Sequence, residues 1–326
     1  MKKRLSLFVL CLFMLLPDIA HAVSREGLRN ELADTAGYVR SVTPSPSVGA
    51  VGGEWAVIGI ARGGINIENS YYEQYYGSVC GYASERGGVL SSNKYTEYSR
   101  VVLALTAIGR DPQNVSGYDL VKPLYDTARV SAQGLNGPVW ALIALDSGGY
   151  AAGNGVREEY IGSILDRRLN DGGWALSKNA DTSEADMTAM ALIALSNSRG
   201  RADVETAIDR GLACLSAMQS PDGGFGDAEA CSQVICALTS LGVSLEDARF
   251  VKNGSGCLDA LLGYKLSGGG FSHIKGGEVN AMATEQALYA MAAAKRADDG
   301  ESGIYRMDDE PRSRFLSILH GMRSEG

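Results

Sequence analysis

A short apolar pattern with a small residue in second place recurs six times along this 326-residue chain. Its first three copies are Trp55-Ala56-Val57-Ile58-Gly59, Leu103-Ala104-Leu105-Thr106-Ala107 and Trp140-Ala141-Leu142-Ile143-Ala144. It returns as Met190-Ala191-Leu192-Ile193-Ala194, Cys236-Ala237-Leu238-Thr239-Ser240 and Tyr289-Ala290-Met291-Ala292-Ala293. The anchors Ala56, Ala104, Ala141, Ala191, Ala237 and Ala290 are spaced by 48, 37, 50, 46 and 53 residues, and each has another small residue three positions on. Small residues at i and i+3 let helix axes approach closely, and the near-absence of charge marks helices buried on every side.

More polar stretches lie between the copies. Residues 24–40, 68–86, 116–129, 155–170, 201–219 and 254–265 fit a 3.6-residue period with charge on one face. In the fifth, Val204, Ile208, Leu212 and Leu215 form a stripe while Glu205, Asp209 and Arg210 face away. The pattern predicts six outer and six inner helices in alternation, with no strand. The chain has 41 glycines, and several mark the joints: Asp171-Gly172-Gly173-Trp174, Asp222-Gly223-Gly224-Phe225 and Gly268-Gly269-Gly270-Phe271. Double glycine permits the positive φ of a tight turn, and the aromatic that follows can plug the gap between helix ends. An open solenoid is one reading of such a repeat. Six pairs with fully buried inner helices suit a closed ring, so the expected fold is an all-α (α/α)6 toroid.

Composition excludes other classes. With 45% apolar and 21% charged residues the chain is globular rather than disordered. A net charge of −8 argues against a nucleic-acid surface, which needs clustered Lys and Arg. Residues 1–22 read as a secretory signal: a basic start at Lys2, Lys3 and Arg4, an apolar run from Leu5 to Leu16, and Ala20-His21-Ala22 as the cleavage pattern. The expected divisions are a signal peptide at 1–22, a toroid at 23–296, and an acidic tail at 297–326 with a short helix around 311–322. The product is expected outside the cytoplasm with no membrane span after cleavage. The remaining cysteines, Cys80, Cys214, Cys231, Cys236 and Cys257, are odd in number and form no C-x-x-C pair, so their pairing stays open.

The repeat resembles the terpenoid cyclase and protein prenyltransferase superfamily, whose fold is this toroid. Gln219-Ser220-Pro221-Asp222-Gly223-Gly224-Phe225 is similar to the Q-x-x-D-G-x-W/F element of that group. The resemblance covers residues 30–295 and is nearest to short exported bacterial proteins with prenyltransferase and squalene oxidase repeats. The α-domains of cobalamin carriers such as transcobalamin and intrinsic factor look like more distant relatives. Class II terpene cyclases use a D-x-D-D acid. Here Glu184-Ala185-Asp186-Met187 places Asp186 at the acid and keeps a carboxylate at Glu184, but Met187 replaces the last Asp. Zinc prenyltransferases use D-x-C and a distant His. Glu229-Ala230-Cys231 has that spacing, yet no His lies near Ala283, where the third ligand belongs, so no metal and no cofactor is expected. The thioester C-G-E-Q of complement-like proteins is absent around Glu285-Gln286.

Polar residues four to seven positions before the anchors form an expected collar at one mouth of the ring: Glu97, Arg100, Asn136, Asp186, Gln233, Glu285 and Gln286. Trp140 and Tyr289, beside their anchors, read as core. The leading expectation is an exported, non-catalytic binding or interaction protein that takes a small hydrophobic or corrinoid-like ligand at this mouth, with any protein partner unidentified. The alternative is a cyclase-like enzyme with Asp186 as proton donor.

Overall fold

A computed structural model of the chain describes residues 23–308. It is built from twelve α-helices. The outer set is α1 (Arg25–Val42), α3 (Asn69–Glu85), α5 (Thr127–Ser131), α7 (Val156–Asp166), α9 (Ala202–Met218) and α11 (Cys257–Leu262). The inner set is α2 (Trp55–Arg62), α4 (Thr96–Ala107), α6 (Asn136–Ser147), α8 (Ala185–Leu195), α10 (Ala228–Ser240) and α12 (Ala281–Asp298). Each inner helix packs on the next, and α12 packs back on α2, so the ring closes. The expected toroid is the observed fold. Among the described residues, β structure is limited to isolated bridges such as Ser272 with Val279.

Local chemistry accounts for both sets. In α8 every residue from Met187 to Leu195 is buried, as a helix with neighbours all round requires. In α1, Leu28, Leu32, Thr35, Ala36 and Val39 are buried at helical spacing, and the Ser24 side chain caps the first turn by accepting from Gly27 N. Two outer helices are shorter than their periodicity suggests. Pro123 opens a single 3₁₀ turn at Lys122–Tyr125, Asp126 then caps a new start, and only Thr127–Ser131 is α-helical where 116–129 was expected. Residues 254–265 shrink to Cys257–Leu262 between Gly256 and Gly263.

The glycine joints behave as their sequence implies. Gly172, Gly223 and Gly269 have φ of 100°, 82° and 95°, and the aromatics that follow, Trp174, Phe225 and Phe271, are buried. Trp174 N donates to Thr188 Oγ1 and Phe271 N to Thr284 Oγ1, both at 2.9 Å, and each threonine is the fourth residue of its inner helix. The fourth residue of α10 is Cys231, which receives the Phe225 backbone in the same way. Gln219 serves the same joint: its Nε2 donates to the carbonyls of Gly223 and Phe250, each at 2.8 Å. The Q-x-x-D-G-G-F element is therefore a structural tie between helix ends.

The ring extends past the expected boundary at 296. α12 runs to Asp298, and Ile304, Tyr305 and Met307 are buried at the end where the inner helices finish. Fully buried Arg62, the last residue of α2, gathers this segment. Its guanidinium donates to the carbonyls of Ile304 (3.2 Å), Gly303 (3.1 Å) and Arg306 (2.8 Å), and to Ser302 Oγ (3.1 Å). Met307 N adds a bond to Ser147 O at 2.8 Å. The helix expected around 311–322 and the signal segment 1–22 lie outside the described residues. No helix among those described is long and apolar enough to cross a membrane.

Tyr305 carries the plug into the centre of the ring. Truncating a buried aromatic costs about 3–5 kcal/mol, so Tyr305→Ala is expected to lower the unfolding free energy by about 3 kcal/mol. Urea denaturation followed by tryptophan fluorescence reads this directly. An unchanged midpoint would show that the segment is a tail after all.

Candidate functional site

The inner helices start at one end of the ring, and their first turns surround a cavity of about 270 Å³. Four aromatic rings form a closed circuit in the bore: Trp55 to Trp140 (centroids 5.1 Å apart), Trp140 to Tyr305 (5.8 Å), Tyr305 to Tyr289 (6.3 Å) and Tyr289 to Trp55 (5.6 Å). Trp55 and Trp140 face the cavity, while Tyr289 is fully buried. The ring is thus a cup rather than a tunnel. Its wall mixes apolar Ala50, Met190 and Met282 with Thr96, Arg100, Asn136, Asp186, Glu229, Gln233 and Gln286.

Five of the seven collar residues converge here: Arg100, Asn136, Asp186, Gln233 and Gln286. Glu97, in the first turn of α4, does not line the cavity. Glu184 turns away, exposed, with its Oε2 accepting from Leu176 N at 2.9 Å. Glu285 is buried behind the wall, 3% exposed, with Oε1 accepting from Gly52 N at 2.8 Å and Oε2 without a partner. Cys231 is inside the core, where burial pushes its thiol up to about 11. The five cysteines are all free thiols.

Two residues were left out of the collar expected from the sequence, although Glu229 was noted there as part of a zinc-like motif. Glu54 is completely buried just before α2, and its carboxylate takes Arg100 Nε (3.4 Å), Tyr75 Oη (3.2 Å) and Gly49 N (3.1 Å). It thereby anchors Arg100, the one cation among the cavity-lining residues described. It also folds residues 47–54 over the edge of the mouth. At Gly53 a Cβ would stand 2.2 Å from Ser47 O, so this turn admits no side chain there. Glu229 is the second, and it lines the cavity from the first turn of α10. Its spacing to Cys231 drew attention to the wrong partner, because Glu229 Oε2 instead meets His273 Nδ1 at 2.8 Å.

Burial raises three carboxyls at or beside the mouth. Burial pushes the Asp186 carboxyl above its ordinary range, the charges of Glu184 and Asp227 add to the effect, and a hydrogen bond from Met187 N opposes it. Burial likewise raises Glu54 against the pull of Arg100, and it lifts Glu285 to about 7. His273 is raised by its bond to Glu229. Gln233 Nε2 donates to Tyr289 Oη (2.5 Å) and Gln286 Oε1 (3.2 Å), which leaves Gln233 Oε1 and Asn136 Oδ1 as buried acceptors without partners. A cavity with an acid, a second carboxylate, an aromatic floor and unused acceptors is equipped to bind and protonate a hydroxyl-bearing molecule.

No family model and no curated protein matches the chain. Solved structures share its fold. The alpha-1,6-mannanase of Salegentibacter sp. HEL1_6 aligns with a TM-score of 0.59 at 9% identity, over 83% of this chain and 99% of that one. An inactive variant of it with two substituted aspartates, in complex with alpha-1,6-mannotriose, aligns at 0.60 and 10% identity over the same shares. The type II terpene cyclase MstE from Scytonema aligns at 0.54 and 12% identity, over 82% of this chain and 99% of its own. With enzymes as these neighbours and a raised carboxyl facing the mouth, the expectation of a non-catalytic carrier for a hydrophobic or corrinoid-like ligand is corrected.

Glu285 gives this end a pH signature. Its folded value of about 7 lies above the ordinary 4.5, so its contribution to stability is whole below pH 4.5 and lost as pH rises through 7. Between those limits the loss is at most about 3 kcal/mol. The urea midpoint of the wild type is expected to fall over this window, and Glu285→Gln to flatten part of the fall. Equal slopes for the two proteins would contradict the assignment.

Proposed function

We propose that the protein is an exported glycan-processing enzyme of the glycosidase kind, with the ring mouth as active site and Asp186 as proton donor. The observation that carries this reading is the placement of a half-buried carboxyl with raised pKa on the wall of a cavity floored by Trp55 and Trp140. Glycosidic cleavage needs an acid that remains protonated near neutral pH to protonate the leaving oxygen, and a second carboxylate to serve the sugar carbon or a water. Glu229 is the second carboxylate on the same wall. A sugar ring lays its apolar face on an aromatic floor, and its hydroxyls donate to acceptors such as Asn136 Oδ1 and Gln233 Oε1. The mannanase neighbour was solved in complex with alpha-1,6-mannotriose, which supports a carbohydrate as the kind of ligand.

A cyclase is the second reading, because Glu184-Ala185-Asp186-Met187 resembles the D-x-D-D motif with Asp186 at the acid and MstE shares the fold. Physical space argues against it. Ligand pockets for drug-sized molecules hold about 300–1,000 Å³, and a folding isoprenoid needs a deep apolar chamber. Here the four aromatic rings occupy the bore, and the cavity above them is about 270 Å³ with Arg100, Asp186 and Glu229 on its wall.

The discriminating experiment incubates the purified protein with alpha-1,6-linked mannooligosaccharides and a panel of other glycans, and separately with linear isoprenoids. Release of reducing sugar is expected, with a rate that falls as pH rises through the Asp186 value because the acid form is required. Asp186→Asn is expected to lower kcat by about 10²–10⁴-fold with little change in fold by circular dichroism. Isoprenoid products, or glycan turnover untouched by Asp186→Asn, would overturn the reading.

A further inference from the structure

Beyond its acid, the mouth carries a second chemical feature. Asp227, Glu229 and His273 each present one ligand atom, and the three atoms lie within 4.8 Å of one another. We propose that these residues bind one divalent transition-metal ion of the zinc or manganese type at the rim of the cavity.

The three groups are held by two separate parts of the fold. Asp227 is the N-cap of α10: its Oδ1 accepts from Ala230 N at 2.7 Å, and the carboxylate has a second oxygen to offer. Glu229 follows two residues later, in the first turn. His273 arrives from the far joint, after buried Phe271 and Ser272, and its own carbonyl accepts from Ala228 N at 3.1 Å. That bond holds the backbone of residue 273 beside the start of α10. A tetrahedral zinc ion with bonds of about 2.0–2.2 Å spaces its ligands roughly 3.3–3.5 Å apart. Glu229 and His273 already stand 2.8 Å apart, and half-exposed His273 has room to rotate toward this spacing.

The donor set selects the class of ion. Two carboxylates and one imidazole suit borderline transition metals, whereas calcium and magnesium prefer oxygen ligands throughout. Three protein ligands leave a coordination position open, as in catalytic rather than structural sites. Glu229 lines the cavity, so that position faces the mouth. A separate observation points to a ligand there. Gln233, one turn beyond Glu229 and only 4% exposed, lines the same cavity and has an Oε1 without a partner. Cys231 takes no part, because it is buried in the core and receives the Phe225 backbone. A bound ion would offset the carboxylates of Asp227 and Glu229 that hold it.

With the ion bound, Glu229 is a metal ligand and no longer the free second carboxylate of the glycan reading, so the site stands apart from that reading and its test uses binding rather than turnover. Tag-free full-length protein, stripped with chelator and dialysed, is titrated with Zn²⁺ and Mn²⁺, and with Mg²⁺ and Ca²⁺ as controls, by calorimetry and thermal shift. One-to-one binding of a transition ion with a rise in Tm is expected, with little response to Mg²⁺ or Ca²⁺. His273→Ala and Glu229→Gln should each weaken binding by at least about tenfold while keeping the metal-free Tm and circular dichroism. Cys231→Ser should bind as the wild type does. Absence of binding, binding unaltered by His273→Ala, binding lost in Cys231→Ser alone, or equal affinity for Ca²⁺ would each overturn the proposal.

Discussion

The four-ring aromatic circuit of Trp55, Trp140, Tyr289 and Tyr305 decides what kind of object this toroid is. Six alanine-lined helices can close side by side, but closure leaves a bore down the middle that side chains or solvent must occupy. Three of the rings come from inner helices and the fourth from a segment beyond the last one. Buried aromatics at these separations contribute contact energy beyond their area, about 0.5–1.5 kcal/mol per pair. The circuit also closes the floor of the mouth, so the depth available to a ligand is set by the packing that stabilises the ring. Arg62 completes the device, because four hydrogen bonds from one buried guanidinium hold the segment that delivers Tyr305. Hydrogen bonds to a charged group in a buried setting are worth about 1.5–3 kcal/mol each.

The architecture was legible because its determinants are local and repeated. An alanine with a second small residue three positions on marks an inner helix wherever it occurs, and the glycine joints mark the returns. The collar was legible for a related reason. Residues four to seven positions ahead of an anchor fall in the first helical turns, and those turns meet at one mouth. The exceptions have physical causes. α2 starts one residue before Ala56, so its collar positions fall in the turn 50–54 and are filled by small residues. The polar duty there passes to Glu54, which the spacing rule does not reach. Glu285 obeys the spacing but lies on the flank of α12 that meets this same turn, so it holds Gly52 instead of facing the mouth. Tyr305 and the pairing of Glu229 with His273 are contacts between distant segments, and no local pattern encodes them.

Motif resemblance and site geometry separate at Cys231. Its spacing from Glu229 resembles a metal motif, yet its position in α10 is that of Thr188 in α8 and Thr284 in α12. Each of these residues receives the backbone N–H of the aromatic that follows a glycine joint. A thiol can serve there because the role needs only a small side chain with an acceptor. The repeat itself supplies this comparison: a residue that has equivalents in other repeats is explained by the fold, and one that has none is a candidate for function. His273, two residues past Phe271 where the other joints carry Leu176 and Asp227, is of the second kind. Asp186 and Glu229 are equivalents of each other, two residues before Thr188 and Cys231 where α12 has Met282, and they qualify instead because both line the mouth.

The two ends of the ring differ in how their polar groups are satisfied. At the end where the inner helices finish, Arg62 and Arg296 meet carbonyls and Ser302, and the apolar residues beside them are buried. At the other end Glu54, Asp186 and Glu285 are all raised by burial, while Asn136, Gln233 and Glu285 keep acceptors without partners. Unsatisfied buried groups cost about 1–3 kcal/mol each, and nothing in the packing of alanine-rich helices requires them. Core-filling alone would replace them with apolar side chains. Of these, Asn136, Asp186 and Gln233 line the one cavity floored by the aromatic circuit, which is the reason for proposing the chemistry at the helix N-terminal mouth and reading the opposite end as the fastening of the ring.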